Sequence, residues 1–520
     1  MSDSAQVPSP DLQSIVHEFE ARSGLQGVEY EIKDRPDGQA LIFRVANPTE
    51  RFYKLLHEIS PTVSGGLFPA SAIISTVQKR TPSNPLQSPE ARYFLRILSE
   101  SLNINRLSFK DDFFARYTKS VSNAEAQITA SANHIVYGRR GAGKSSLLLY
   151  AMRSRERDRL PSVWLDMQVY EKRKDTGVVL DVLTEIFRQL GENPARLPAH
   201  SRVTVALDRL RARQDLTDDE IRRFLPEVRQ AFCLLQSTPN NLFVFLDDFH
   251  ALDSEIQPRL LGFIYSVTRG TSVFLKLSAI ETLTKSWDAG THTGLQVPHD
   301  AQTIKLDYNL TMPDKASTHI EGILDAHAAY CGLPSVRFLC TSGDVLSRLV
   351  WVSAGVPRDA LNMFAQAMTK GAISNRNRVS VTNVNLAASE MVNLKMQDLE
   401  VDLGDGSEET DLTQVLEHVR DFCVKQKRKN AFLVEIRNDD IFYQSILKLV
   451  DLRLIHVISE GISPSEAGRK YLALILDYGF YTGITAAQSV DLFNKQTERV
   501  TYKQLRKLPI LQGLSKSAVR

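Results

Sequence analysis

The feature that most constrains the fold is a glycine-rich segment, Gly138 to Ser145, with the sequence GRRGAGKS. It fits the pattern G-x-x-x-x-G-K-[S/T] at every position. An apolar run, His134 to Tyr137, precedes it, and a leucine-rich stretch that we interpret as a helix follows it. Glycines permit the backbone angles and the close approach that a ring of N–H donors needs around phosphate oxygens. The segment therefore predicts a strand, a phosphate-binding loop and a helix, in that order.

Within this segment each residue type has a chemical reason. Lys144 supplies a mobile positive charge for the β- and γ-phosphates, and the hydroxyl of Ser145 is a candidate ligand of Mg²⁺. The alternative, a glycine turn with a surface lysine, is disfavoured by the flanking strand and helix. No guanine-reading motif is visible, so we predict ATP and Mg²⁺ as cofactors. The predicted nucleotide contacts are Gly138, Arg139, Arg140, Gly141, Ala142, Gly143, Lys144, Ser145 and Ser146.

Two further strand ends carry polar groups. The apolar run 242–246 ends in Asp247-Asp248, and the run 272–277 ends in Ser278. Ligand chemistry in open α/β sheets lies at strand tips. We predict that Asp247 holds Mg²⁺, that Asp248 polarises the attacking water, and that Ser278 contacts the γ-phosphate or its water. The alternatives are an acidic helix cap and a strand-capping serine.

The predicted fold class is α/β. Short, wholly apolar runs alternate with helical stretches, which is typical of a parallel sheet covered on both faces. The runs are residues 134–137, 162–166, 242–246, 272–280 and 303–306. Ahead of them, β-like runs at 28–32 and 40–45 surround a Pro-Asp-Gly turn and predict a hairpin. Residues 64–89, rich in Gly, Ser and Pro, belong to the same N-terminal module or its linker.

We predict four domains. They are an N-terminal α/β module at 1–106, a three-layer phosphate-loop ATPase core at 107–312, a mostly helical lid at 313–400 and a C-terminal domain at 408–520. The acidic, glycine-containing segment 402–409 is the expected linker before the last domain.

Composition excludes several other classes. The 520 residues carry a net charge of +2, so only local patches argue for nucleic acid. The four cysteines form no C-x-x-C pair, and we expect them to be reduced. No signal-like start and no run of 18 apolar residues is present, so we expect a cytoplasmic protein without a membrane partner.

A Gly-Val-Pro-Arg sequence, residues 355–358, predicts a tight entry into a helix. Arg358 falls in the first turn, where a cation opposes the helix dipole. A function outside the helix is therefore attractive for it, and its long guanidinium fork suits the γ-phosphate. The alternative is a solvated arginine at a helix start.

Together these motifs resemble AAA+ ATPases, most of all the initiator branch that includes origin-recognition-complex ATPases, and also the STAND signalling NTPases. The resemblance covers about residues 107 to 395. It implies the sensor-1 role for Ser278 and the sensor-2 role for Arg358, whereas in the STAND branch Pro357 would contact the nucleotide instead. It also implies an adenine-flanking stretch at 109–117.

One feature departs from the AAA+ pattern. Rings of these ATPases carry an arginine finger between the fourth and fifth strands, but residues 281–302 contain no arginine, and Lys285 is the only cation there apart from histidines. Arg259 and Arg269 are weaker substitutes. The departure favours a STAND-like switch, or an oligomer that uses another contact.

The region 411–482 resembles a winged-helix unit, with residues 441–452 as its central helix and a wing from residues 454–458 and the run after Gly461. Double-stranded DNA is a candidate partner, because residues 425–429 form a basic run and the tail adds Lys503, Arg506, Lys507, Lys516 and Arg520. A solvated basic loop or a protein-binding wing is the alternative.

Our leading interpretation is an ATP-hydrolysing switch that couples nucleotide state to a protein partner or DNA. Two alternatives stay open. One is a nucleotide-stabilised scaffold with negligible turnover. The other is a DNA-loading or remodelling ATPase in replication, transposition or defence.

Overall fold

The computed structural model describes residues 10–513, except 37, 64–72, 172, 192–199, 214–216, 235–240, 307–311, 404–406, 438, 465–468, 483–489 and 492–499. The chain forms two compact units. The central unit is Ile104–Asp307, and the discontinuous unit combines Met1–Asn103 with Tyr308–Arg520. The N-terminal residues therefore fold together with the C-terminal half of the chain. The four predicted domain boundaries remain a proposal.

The first part of the discontinuous unit is a small α/β module. Its elements are α1 (Pro10–Ser23), β1 (Glu29–Arg35), β2 (Gly38–Val45), α2 (Glu50–Val63), β3 (Ile73–Lys79) and α3 (Pro89–Glu100). Strands β1 and β2 pair antiparallel, with Glu29 opposite Arg44, and this confirms the predicted hairpin. Of the two interpretations of residues 64–89, membership in the N-terminal module holds for β3, because that strand pairs parallel with β2 along its whole length.

The central unit is a parallel α/β domain. Its elements are α4 (Asp111–Arg116), α5 (Ala124–Ile128), β4 (His134–Tyr137), α6 (Lys144–Arg157), β5 (Ser162–Asp166), α7 (Gly177–Gly191), α8 (His200–Arg211), α9 (Asp218–Leu234), β6 (Leu242–Asp247), α10 (Ile256–Thr268), β7 (Val273–Ala279), β8 (Trp287–Asp288), β9 (Thr293–Gly294) and β10 (Gln302–Lys305). All five predicted strands are present, and the short β8–β9 hairpin is additional.

The five long strands of the central unit lie side by side in the order β10-β4-β7-β6-β5, and every neighbouring pair is parallel. This sheet confirms the predicted α/β fold class. Strand β4, which leads into the glycine-rich segment, is separated from β6 by β7. The tip of β7 is therefore held between the glycine-rich segment and the Asp247-Asp248 tip, and this order brings the three predicted polar positions together.

The second part of the discontinuous unit begins with four helices, which we call the helical segment: α11 (Pro313–Tyr330), α12 (Asp344–Val352), α13 (Pro357–Ile373) and α14 (Val381–Leu403). The prediction of a mostly helical region is confirmed. The prediction of a linker at 402–409 is wrong in most of its length. Helix α14 continues to Leu403, and the next helix, α15 (Ser407–Asp421), begins after residues 404–406.

The C-terminal part follows α15 with a π-helical turn (Phe422–Gln426), β11 (Ala431–Glu435), α16 (Ile441–Asp451), β12 (Ile455–Ile462), β13 (Tyr471–Leu476), α17 (Gly479–Thr482) and α18 (Tyr502–Leu505). Its antiparallel sheet has the order β11-β13-β12. A helix between β11 and the β12–β13 hairpin is the arrangement that the winged-helix interpretation predicts, with a single helix in that interval. Lys516 and Arg520 of the basic tail lie outside the described residues.

Each unit has its own apolar core. In the discontinuous unit one core cluster joins side chains of the N-terminal module, the helical segment and the β11–β13 sheet, including Phe43, Phe364 and Ile475. The four cysteines are unpaired, and Cys331, Cys340 and Cys423 are buried. In the described part of the chain, no helix combines the length and the apolar character that a membrane crossing requires.

Candidate nucleotide site

The glycine-rich segment connects the buried strand β4 to the first turn of α6. Gly141 and Gly143 have φ angles of 83° and 93°, in the left-handed region that favours glycine. A Cβ atom on Gly138 would lie 3.2 Å from the Cβ atom of Ala142, so the loop is tightly closed at that point. Backbone N–H groups of such a loop and of the following helix start form an anion-binding concavity. The local geometry is therefore that of a phosphate-binding loop.

Lys144 is folded over this loop. Its side chain is buried, and Nζ donates to the carbonyl oxygens of Gly138 at 2.9 Å and Arg139 at 3.2 Å. The ammonium group is thus held against the main chain of the loop. Arg140 is exposed, and Ser146 is half-buried in the first turn of α6.

The acidic tip of β6 reaches the start of α6. The Ser145 hydroxyl donates to Oδ1 of Asp247 at 3.0 Å, although the two residues are far apart in sequence. The Ser278 hydroxyl donates to the same oxygen. In turn, the backbone N–H of Asp248 donates to Ser278 Oγ at 2.8 Å. One carboxylate oxygen therefore joins the helix start and the tips of two strands.

Burial makes the Asp247 carboxyl hard to ionise. Desolvation, followed by the nearby charge of Asp248, raises its pKa from 3.8 to about 6, and the hydrogen bonds from Ser278 and Ser145 oppose this rise. A cation beside the carboxylate would offset the cost of its charge. The pair formed by the Ser145 hydroxyl and the Asp247 carboxylate consists of oxygen ligands of the kind that Mg²⁺ uses together with phosphate oxygens.

Ser278 is fully buried, and its hydroxyl is engaged by Asp247 and by the backbone of Asp248. In this structure it positions the two acids at the tip of β6. Its predicted contact with the γ-phosphate remains a prediction.

Asp248 adopts a left-handed conformation, with φ 50°, and its carboxylate is half-buried. The Gln168 amide, in the turn after β5, donates to Oδ2 of Asp248 at 2.8 Å. His250 follows in the next turn, and its pKa is lowered to about 4 by burial and by the charges of Lys144 and Arg140. The imidazole is therefore neutral at pH 7. Sequence reasoning missed both Gln168 and His250.

The stretch 109–117 packs on the helix that follows the glycine-rich segment. Phe109 and Phe113 are buried against Leu149, and Phe114 and Tyr117 stack on Tyr150 with ring centroids 5.2 and 4.6 Å apart. This stretch therefore lies against α6, where an adenine-flanking role requires it to be. The role itself remains a prediction.

The cations considered as arginine fingers have partners inside the central unit. Arg259 forms an ion pair with Asp218 at 2.6 Å, and Lys285 forms one with Asp288 at 3.0 Å. The Arg269 guanidinium lies 6.0 Å from the ring centroid of Tyr265. Neither Arg259 nor Lys285 is available to a neighbouring molecule without losing these contacts.

Pro357 and Arg358 belong to the discontinuous unit. Pro357 is the first residue of α13, and the preceding turn contains Ala354 and Gly355 with φ angles of 50° and 74°. Arg358 is exposed in the first turn. Within the described residues, no hydrogen bond or ion pair engages its guanidinium. The tight entry into a helix is confirmed, and the nucleotide contacts of Pro357 and Arg358 remain predictions.

Residues 123–275 match a family model described as an AAA ATPase domain. The chain contains an AAA ATPase domain. The matched segment includes the glycine-rich loop, the Asp247-Asp248 tip and the first three residues of β7, whereas Ser278 lies beyond its end. The predicted membership in the P-loop AAA+ ATPases is confirmed.

The following solved structures are similar to the chain, each at low sequence identity. Cdc6p from Pyrobaculum aerophilum is 14% identical, with 76% of this chain and 98% of that chain covered and a TM-score of 0.35. The ORC2 protein of Aeropyrum pernix is 13% identical, with 73% and 88% covered and a TM-score of 0.37. A structure titled Drosophila ORC bound to DNA is 13% identical, with 84% and 98% covered and a TM-score of 0.36. No curated protein matches the chain.

Proposed function

We propose that the chain is an ATP-driven switch, in which the AAA ATPase domain binds Mg-ATP and hydrolyses it. The observation that carries this proposal is the shared oxygen of Asp247, which joins the Ser145 hydroxyl at 3.0 Å and the Ser278 hydroxyl. A merely structural acidic cap would not require a buried carboxylate of raised pKa beside a phosphate-binding loop.

The magnesium ion would be held by Ser145 and Asp247, with phosphate oxygens completing its coordination. In the described residues no group of three or more His, Cys, Asp or Glu side chains forms a metal site on its own. That agrees with this ion, which keeps water and binds through one or two protein ligands plus substrate phosphates. When bound, the ion would neutralise charge on the β- and γ-phosphates.

Asp248 is the proposed base for the attacking water, and Arg358 the proposed cation for the γ-phosphate. The side chain of Asp248 is shorter than that of the glutamate more usual at this position, and its carboxylate accepts a hydrogen bond from the Gln168 amide at 2.8 Å. Both features favour slow turnover. Release of the Gln168 amide would turn the carboxylate toward a water molecule.

Phosphate release and nucleotide affinity, measured on the same variants, test this function. Lys144→Ala removes a charge-assisted contact, so ATP binding should weaken by about 1.5–3 kcal/mol or more. Asp248→Asn should keep ATP affinity and lose turnover. Glu227→Gln, which alters an exposed acid on α9 of the central unit, is the control and should change neither.

Unchanged ATP affinity in Lys144→Ala would refute the site. ATP binding without turnover, in the presence of every partner tried, would instead favour the nucleotide-stabilised scaffold. This second function remains a candidate because Asp248 stands where a glutamate is usual.

Double-stranded DNA is the proposed partner of the C-terminal part. Lys425, Lys427, Arg428 and Lys429 are exposed beside β11, although Lys425 pairs with Asp421 at 2.8 Å. Described side chains on the exposed face of α16 add only one cation, Lys448. DNA affinity should therefore fall steeply with salt and depend on residues 425–429. Binding that is absent at low salt, or unaffected by Lys427→Glu, would favour a protein partner.

A further inference from the structure

A cleft of about 460 Å³ lies on the surface of the discontinuous unit. The residues that line it come from three segments: 81–85, which follow β3, 338–341, between α11 and α12, and 375–378, between α13 and α14. Its volume is within the range of about 300–1,000 Å³ that is usual for small-molecule sites. The described lining residues all belong to one unit, so the cleft can be considered by itself.

Main-chain hydrogen bonds hold the three segments together. The N–H of Leu86 donates to the carbonyl oxygen of Asn377 at 3.3 Å. The N–H of Val379 donates to the carbonyl oxygen of Leu339 at 2.8 Å, and the N–H of Thr341 donates to that of Val379 at 2.9 Å. The loop after α13 is therefore anchored on two sides, and a ligand would not have to order it on binding.

The cleft is positively charged. Arg376 and Arg378 line it and are exposed, and neither guanidinium forms an ion pair with an acid in the part of the chain that the structure describes. The described residues that line the cleft include no aspartate or glutamate. By contrast, Arg337 in the adjoining turn pairs with Glu321. Two cations without a compensating acid favour an anionic ligand.

The other polar groups of the cleft suit the oxygen atoms of phosphates and sugars. They are the hydroxyls of Thr81, Ser83 and Thr341 and the side-chain amides of Asn375 and Asn377. Hydroxyl, amide and arginine side chains are the groups that contact the backbone of nucleic acids in protein complexes. The planar fork of an arginine also matches a phosphate group in a bidentate manner. The lining therefore fits a phosphate-bearing ligand.

The shape of the cleft narrows the choice of ligand. Phe338 is half-buried in its wall, and aromatic rings stack on bases that are not paired. The bases of a duplex are paired and stacked, so none of them can enter a cleft of this size. Both arginines are exposed, so a free mononucleotide would keep much of its surface in water, whereas small-ligand sites bury about 70–90% of their ligand. A single strand needs no such enclosure, because its other phosphates bind outside the cleft.

We propose that this cleft binds single-stranded nucleic acid, with Arg376 and Arg378 on its phosphates and one base against Phe338. The site uses residues of neither the glycine-rich segment nor the basic run 425–429, so the inference goes beyond the function proposed above. A bound strand would contact the N-terminal module and the helical segment together, because the segments that line the cleft flank elements of both.

The test is fluorescence anisotropy of a labelled oligothymidylate of about 12 nucleotides, with the full chain at low salt and without ATP. Arg376→Ala and Arg378→Ala should each raise the Kd by about 10-fold or more, because each removes a charge-assisted contact. With both changes, the slope of the logarithm of the association constant against that of the salt concentration should become shallower by about 1.4, the value for two lost phosphate contacts to a single strand. Phe338→Leu, which keeps the apolar packing and removes the ring, should raise the Kd by about 5-fold or more.

Arg96→Ala is the matched control. It removes an exposed arginine of the same unit that pairs with Glu100 and is not among the residues that line the cleft, so the Kd and the salt slope should stay unchanged. The substituted arginines of the cleft are themselves exposed, and thermal unfolding of each variant confirms that the fold is kept. Oligouridylate measured in parallel distinguishes RNA from DNA, and binding of either strand that depends on Arg376 and Arg378 supports the proposal.

Three results would overturn it. One is an unchanged Kd when Arg376 and Arg378 are both replaced by alanine. Another is displacement of the strand by polyglutamate as readily as by unlabelled oligothymidylate, because the occupant would then be an acidic protein segment. The third is displacement by a duplex of the same length, because the strand would then be bound at a surface that also accepts duplex DNA.

Discussion

Burial of the Asp247 carboxyl, with the charge of Asp248 as the second cause, raises its pKa from 3.8 to about 6. Above pH 6 the folded domain therefore carries a charge that the unfolded chain would accommodate more easily. The difference between the two values corresponds to roughly 3 kcal/mol, because each factor of ten in proton affinity is worth about 1.4 kcal/mol. Without nucleotide and magnesium, this carboxylate should destabilise the central unit near neutral pH.

Asp247→Asn tests that reasoning. The amide keeps an oxygen that can accept from the Ser145 and Ser278 hydroxyls, and it removes the charge. The folded protein binds the proton of Asp247 more tightly than the unfolded chain does, so the contribution of this carboxyl to stability falls as pH rises from about 4 to 6. The variant should therefore exceed the wild type by up to about 3 kcal/mol at pH 7.5, and the gain should shrink as pH falls toward 4.

The assay is urea unfolding of the ligand-free protein across pH 4 to 8, followed by a signal from the central unit. Glu227→Gln serves as the control, because that acid is exposed on α9 of the same unit, and its stability difference should not follow this pH course. Mg-ATP at a concentration of a hundred times the wild-type Kd should stabilise the wild type by about 2.7 kcal/mol. At the same concentration it should stabilise Asp247→Asn by much less, because this variant binds Mg-ATP more weakly. A variant that is less stable than the wild type at pH 7.5 would refute the electrostatic argument.

Three further changes probe other polar groups of the structure. Gln168→Ala should free the Asp248 carboxylate and raise the turnover number by about 2- to 10-fold at unchanged ATP affinity, as one lost hydrogen bond allows; phosphate release measures it, and slower turnover would contradict it. Burial lowers the pKa of Lys276 from 10.5 to about 7, so between these pH values the unfolded chain binds a proton that the folded protein does not. The free energy of unfolding should therefore rise with pH in this range, by up to about 1.4 kcal/mol per pH unit. Lys276→Met should lose that rise, which urea unfolding measures. Lys395→Met should cost about 3–5 kcal/mol, because it removes the lysine that pairs with the fully buried Asp477 carboxylate and leaves that charge beside His456 and the Gly479 N–H; a change below 1 kcal/mol in thermal unfolding would contradict this.

Much of the fold follows from apolar patterning. The runs 134–137 and 162–166 are strands with the predicted bounds, since a buried parallel strand requires unbroken apolar residues. Strand β3 was missed because its sequence, IISTVQK, lies in a stretch rich in Gly, Ser and Pro and is stabilised by pairing with β2, a contact that is not local. Acidic and glycine residues around 402–409 suggested a linker, but helices cover most of that range, because such local preferences are only weak determinants of secondary structure.

For the site, sequence reasoning found the residues whose chemistry is visible in a motif. Lys144, Ser145 and Asp247 were predicted from the loop pattern and from the acids at a strand end, and the structure places Ser145 against Asp247. Gln168 was not predicted, because its contact with Asp248 depends on β5 lying beside β6. Sheet order is a property of the whole domain, and no local pattern encodes it.

The same physical device recurs in both units: a buried carboxylate whose charge is compensated by a group from another element. In the discontinuous unit, the buried Asp477 carboxylate forms an ion pair with Lys395 of α14 at 2.8 Å. This cation, together with His456, keeps the pKa of Asp477 below its usual range in spite of burial, so the charge of Asp477 is compensated within the protein. Asp247 receives only hydroxyl donors there, and its raised pKa shows that its charge is under-compensated. A complete pair serves to hold two parts of one body together. An incomplete one lowers stability until a cation arrives, so it gives a ligand-bound state an energetic advantage that a purely structural acid would not provide. The two buried aspartates therefore differ in what they need. Asp247 gains from a bound cation, which makes the central unit the part of the chain that should respond to ligand, whereas the ion pair of Asp477 with Lys395 is a structural contact.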